Sequence, residues 1–181
     1  MNREDFGELG LQYYISGRYS FFCSFAITGN LLHHAVEMFL KMGLCKSFTE
    51  RQLRSRSLGH NLKVLWTEFK RLYPVGSLSK HDTTIDTLDM WEEIRYPSQV
   101  FRHERLRLDR TIPLPSSGGG PAPRLYDIIL EEVDELVVDI FKASNISPKI
   151  LKRVFIGMPA AGPVAKKFYE LENRHQLSFD K

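Results

Sequence analysis

Two histidines, a carboxylate and an ammonium stand in an otherwise apolar run, Leu31-Leu32-His33-His34-Ala35-Val36-Glu37-Met38-Phe39-Leu40-Lys41. Helical spacing brings Asn30, His33, His34, Glu37 and Lys41 to one side, three or four residues apart, while Leu32, Val36, Phe39, Leu40 and Gly43 mark a packing surface. Such a segment folds only against other helices, and its polar stripe must then face solvent or line a cleft. Around it the apolar periodicity is helical almost throughout.

Residues 3–16 repeat at helical spacing through Phe6, Leu9, Tyr13 and Tyr14, which predicts a short first helix. From Arg18 to about Leu44 the pattern continues as one long second helix, with Gly29 a point where it kinks or divides. A third helix is expected from His60 to Tyr73, with Leu62, Leu65, Trp66 and Phe69 inward, and Pro74 ends it. A fourth runs from Asp82 to Ile94 on Ile85, Leu88, Trp91 and Ile94. Residues 105–109, Arg-Leu-Arg-Leu-Asp, alternate with a period of two, and residues 111–123 are loop by their Pro, Gly and Ser content. A strong helix then spans Arg124 to Ala143, with Tyr126, Ile129, Leu130, Val133, Leu136, Val137, Ile140 and Phe141 inward. Ser147-Pro148 has the form of an N-cap and first-turn proline, and Gly162-Pro163 opens a last helix through about Arg174. The expectation is an all-α, mainly antiparallel bundle of about five helices over residues 1–145, with a C-terminal helical extension over 146–181.

Composition excludes several classes. A hydrophobic fraction of 43% and a charged fraction of 26% are those of a globular chain, not a disordered one. No apolar run reaches the ~18 residues that would cross a bilayer. Cys23 and Cys45 have neither CxxC spacing nor a secretory segment upstream, so they are expected as free buried thiols in a reducing, cytoplasmic setting. The net charge of +3 is too small to indicate a nucleic-acid partner by itself. Its distribution is more informative: residues 41–71 and 95–110 are basic, whereas Asp127, Glu131, Glu132, Asp134, Glu135 and Asp139 make residues 127–139 acidic. Either run is a partner-binding face or a solvated helix surface.

Three fragments in order, "HAVEMFLK" at 34–41, "SLGHNLKVLW" at 57–66 and "IRYP" at 94–97, resemble HEPN domains over roughly residues 9–145. That resemblance implies a small helical bundle associated with RNA cleavage, RNA or nucleotide binding, or pairing with a nucleotidyltransferase, and it implies a homodimer. Catalytic members carry an arginine, four to six residues and then a histidine at the start of a late helix, where the histidine moves the 2'-hydroxyl proton and the arginine stabilises phosphate charge without a metal. Here that register is broken: seven residues separate Arg95 from His103, and Arg102 adjoins His103. Arg54 does precede His60 by five intervening residues, but at the third helix, and a chain rich in Arg and His supplies about one such match by chance.

The expected function is therefore a non-catalytic or degenerate HEPN-like protein binding RNA, a nucleotide or a protein partner through Asn30, His33, His34, Glu37, Lys41, His60, Arg95 and Tyr96. Arg95 can fork onto phosphate while Tyr96 stacks on a base; alternatively both simply terminate a helix. The alternatives are an active metal-independent ribonuclease of toxin type, with His103 and Arg102 as catalytic residues, and a structural partner of a nucleotidyltransferase. His33, His34, Glu37 and His60 invite a metal, yet they lack HExxH spacing and a defined further ligand. The expectation is mutual hydrogen bonding at a helix interface, with no metal and no cofactor.

Overall fold

The structure, a computed structural model, describes residues 3–55, 58–92, 105–109, 125–156 and 162–178. It is an all-α bundle built around α2 (Thr28–Leu44), which packs against α1 (Arg3–Phe22), α4 (Leu62–Leu72), α5 (Asp82–Met90) and α6 (Leu130–Ser144). A one-turn α3 (Glu50–Leu53) and a 3-10 turn (Gly76–His81) join these elements. After α6 come a 3-10 turn (Pro148–Leu151), α7 (Lys152–Ile156) and α8 (Gly162–Glu170).

Helices α1 and α2 form an antiparallel hairpin, since Gly17 meets Leu32 and Gly10 meets Phe39. A Cβ at either glycine would lie within 2.9 Å of those side chains, so the small residues set the interhelical distance. Gly29 does the same for α5: a Cβ there would fall 1.9 Å from the Trp91 ring. Around this contact Leu32, Ala35, Val36, Phe39, Leu40, Leu65, Phe69, Ile85, Trp91, Leu136 and Ile140 are essentially inaccessible. Asn61 caps α4 through its side-chain oxygen, which accepts from the Val64 amide at 3.0 Å.

The structure corrects three boundaries. The first helix does not end near Ser16 but runs to Phe22, and the division from α2 falls at residues 23–27, where Ser24 adopts φ 55° and Phe25 N–H reaches back to Ser20 O at 2.9 Å. The helix expected from Arg124 begins only at Leu130. Residues 125–129 instead form β2, paired in parallel with β1 (Arg105–Asp109), Arg105 opposite Leu125 and Asp109 opposite Ile129. The period-two reading of 105–109 thus holds, and a short parallel pair is added to the bundle. The last helix stops at Glu170, short of Arg174. Both cysteines are free, but neither is fully buried: Cys23 is exposed on the α1–α2 turn and Cys45, just past the end of α2, is half-buried. Residues 111–123 and the segment holding Arg95, Tyr96, Arg102 and His103 lie outside the described residues. Among the described residues no helix is long and apolar enough to cross a membrane.

The C-terminal extension is stitched to the bundle through Arg18. Its guanidinium, fully buried, is paired with Asp134 of α6 and donates to Phe168 O at 3.1 Å and to Leu171 O. Tyr14 donates to the same carboxylate, and Asn173 donates to the Tyr14 hydroxyl at 3.4 Å. Burial and the neighbouring Asp134 carboxylate hold the Tyr14 phenol well above its ordinary pKa, so it serves as a donor.

Candidate functional site

The polar stripe of α2 neither faces solvent nor lies idle. Glu37 is wholly buried, and its two oxygens are divided between partners. Oε1 accepts from the Lys41 ammonium at 2.6 Å, the i,i+4 pair read from the sequence, itself buried. Oε2 receives His34 Nδ1 at 3.3 Å and His60 Nδ1 at 3.2 Å, and His33 Nε2 stands 3.8 Å from it. Burial pushes the Glu37 carboxyl up, but the His34 hydrogen bond, the Lys41 charge and the His60 hydrogen bond outweigh it and bring the pKa down to about 2. Glu37 is therefore an anion at any physiological pH.

Asn30 and His33 hold the cluster against α5. Asn30 Nδ2 donates to Trp91 O at 2.7 Å, and His33 Nδ1 lies 2.9 Å from Leu88 O. A carbonyl oxygen only accepts, so the His33 proton sits on Nδ1 and, in the neutral ring, Nε2 carries a lone pair. That Nε2 is buried without a hydrogen-bond partner and lies 4.0 Å from Glu92 Oε2.

The cluster reaches the surface at His60. Its side chain is 67% exposed, against 24% for His34 and none for Glu37. His60 sits at the entry to α4 on the wall of a cleft of about 420 Å³ lined by Arg54, Ser55, Gly59, Asn61, Asp89 and Glu92. Asp89, half-buried, accepts from the Leu62 amide at 3.1 Å. Arg54 is 71% exposed and bonded to Glu50 at 3.3 Å. Chemically, the cleft offers an anchored imidazole, a guanidinium and an amide, beside the two carboxyl groups of Asp89 and Glu92.

Five of the sequence-designated residues on α2, Asn30, His33, His34, Glu37 and Lys41, are thus brought together with His60. Arg95, Tyr96, Arg102 and His103 fall outside the described residues. Arg54 and His60, whose spacing suggested coincidence, share one cleft. Sequence reasoning missed Arg18 and Asp134, which look like ordinary members of a helix and an acidic run. The run itself is no free acidic face: Asp134 pairs with Arg18, Glu132 accepts from Thr84 at 2.9 Å, and Asp139 and Glu135 each lie 2.9 Å from Lys80. No protein-family model, curated protein or solved structure matches the chain.

Proposed function

We propose that this chain is a HEPN-like helical protein, without effective catalysis, that binds single-stranded RNA or a nucleotide in the cleft beside His60. The observation that carries the reading is the connection of an exposed imidazole to a wholly buried, ionised Glu37. Burying Glu37 and Lys41 brings a desolvation cost of several kcal/mol per ion, and an apolar pair of similar volume would pack at least as stably. Retaining the charges makes sense if they orient the groups that meet a ligand. His60 and Arg54 supply donors for phosphate, and Asn61 an amide for a base edge or sugar.

The test is fluorescence polarisation of a short single-stranded RNA at several salt concentrations. Affinity should fall with salt, by ~0.7 in the log-log slope per phosphate neutralised. Arg54→Ala should weaken binding and flatten the slope by about that amount, and His60→Ala should weaken it, whereas Lys166→Ala on α8 should do neither. No binding of RNA or nucleotide at low salt removes the reading.

Two observations favour other readings. Arg54 and His60 on one cleft are what a metal-independent ribonuclease needs, and RNA cleavage in EDTA that is lost in His60→Ala would establish it. Tyr19, Phe25 and Ile27, exposed together at the α1–α2 turn, suit an interaction module that pairs with a second copy or with a nucleotidyltransferase. A dimer in light scattering, dissociated by Phe25→Glu, would support self-pairing.

A further inference from the structure

The orphaned nitrogen of His33 asks for a partner that the protein itself does not provide. His33 Nε2 is fully buried, is aimed at Glu37 Oε2 from 3.8 Å, and has no hydrogen bond. Leaving a buried acceptor unmade costs about 1–3 kcal/mol, so the position calls for a group that takes a lone pair. A proton is one such group; a metal ion is another.

The surrounding geometry favours the metal. One ligand atom from each of His33, His34 and Glu37 can be chosen so that all lie within 4.8 Å of one another. For a tetrahedral ion with bonds of about 2.1 Å to nitrogen and oxygen, ligand atoms stand about 3.4 Å apart. From Glu37 Oε2 the separations are 3.3 Å to His34 Nδ1 and 3.8 Å to His33 Nε2; His60 Nδ1 is 3.2 Å from the same oxygen but lies outside the 4.8 Å group, so it joins only by turning inward. His33 is also oriented as metal-ligating histidines are, with its other ring nitrogen donating to a backbone carbonyl, here Leu88 O. Lys41 engages Oε1 and leaves Oε2 to face the imidazoles. The Glu92 carboxylate, 4.0 Å from His33 Nε2, adds a second negative charge near the site.

We propose that His33, His34 and Glu37 bind one divalent transition-metal ion of the zinc type, with the exposed His60 turning inward as the fourth ligand. Three imidazoles and one carboxylate suit zinc, cobalt or nickel better than magnesium or calcium, which take oxygen ligands. On binding, the hydrogen bonds of His34 and His60 to Oε2 give way to coordination through Nδ1, which leaves Nε2 of each ring to carry the N–H. The site would lock His60 in place at the cleft and close the α2–α4 junction. This goes beyond the RNA reading and does not depend on it.

The experiment uses untagged full-length protein, stripped with EDTA and titrated calorimetrically with zinc chloride at neutral pH, without RNA. One zinc per chain is expected, with affinity at least tenfold weaker in His34→Gln and in His60→Ala and unchanged in His175→Ala. Cobalt in place of zinc should give the intense visible bands of a tetrahedral ion, and X-ray absorption should show nitrogen and oxygen neighbours without sulfur. His60 is exposed, so His60→Ala keeps the fold and the test stands even if a variant of a buried ligand unfolds. No zinc binding, binding unaffected by both variants, or sulfur ligation through Cys23 or Cys45 would each overturn the proposal. Zinc binding without RNA binding would leave this site standing and remove the proposed function; RNA binding without zinc binding would do the reverse.

Discussion

Glu37 and Lys41 are the residues on which the site's stability turns. Removing one partner of a buried pair strands the other, at a cost of about 3–5 kcal/mol, whereas replacing both with apolar groups costs little or stabilises. Glu37→Leu should therefore lower unfolding free energy in urea by about that amount, and Glu37→Leu with Lys41→Met should recover most of it. Equal losses in the single and double variants would mean that Lys41 gains nothing from Glu37. A second residue, Asp139, contributes to the acid limb alongside Glu37. Burial raises the Asp139 carboxyl, but hydrogen bonds from Lys80 and His81 and the charges of Lys80 and Lys142 bring it below its ordinary range. A depressed carboxylate binds fewer protons folded than unfolded, so its stabilisation is complete above the unfolded value of about 4 and fades as pH falls through the folded one. Wild-type protein should exceed Asp139→Asn in melting temperature near pH 6, and the gap should narrow below pH 4; a gap that widens there contradicts the assignment.

At the scale of elements, what the sequence disclosed depended on how local the cause was. The α2 cluster was legible because its members recur at helical spacing, and His60 because it stands at a helix start. Asn61 as the cap of α4 follows the same local logic. By contrast the α1–α2 break rests on Ser24 at φ 55°, a conformation no local residue type announces, and the β2 segment escaped because Leu125 to Ile129 satisfies helical and extended periods alike. Arg18 and Asp134 are separated by 116 residues, so no window along the chain could pair them. The sequence offers Gly29 as a kink or break; its role is contact, since Trp91 fills the space a methyl would need. Gly29→Ala should cost about 1–3 kcal/mol, or more if Trp91 cannot move, measured by thermal melting. A neutral result would show that α5 shifts freely against α2.

For the whole molecule, two buried ionic groups among the described residues divide the labour. Arg18, Asp134 and Tyr14 hold the C-terminal extension onto α1 and α6, with Asp134 on the wall of a cavity of about 460 Å³ at that seam, whereas Glu37, Lys41 and the histidines run from the interior to the cleft at His60. Only the second has an exposed member touching its carboxylate. That exposed imidazole, which the Arg18–Asp134 pair lacks, is the reason to place binding at His60 rather than at the C-terminal seam. The most direct test is long-range proton–nitrogen NMR of the histidine rings during titration with a short single-stranded RNA. The account predicts that the His60 and His34 ring signals move in proportion to the fraction bound while His175 and His81 stay in place. Saturable RNA binding with an unmoved His60, or no binding at low salt, would contradict it.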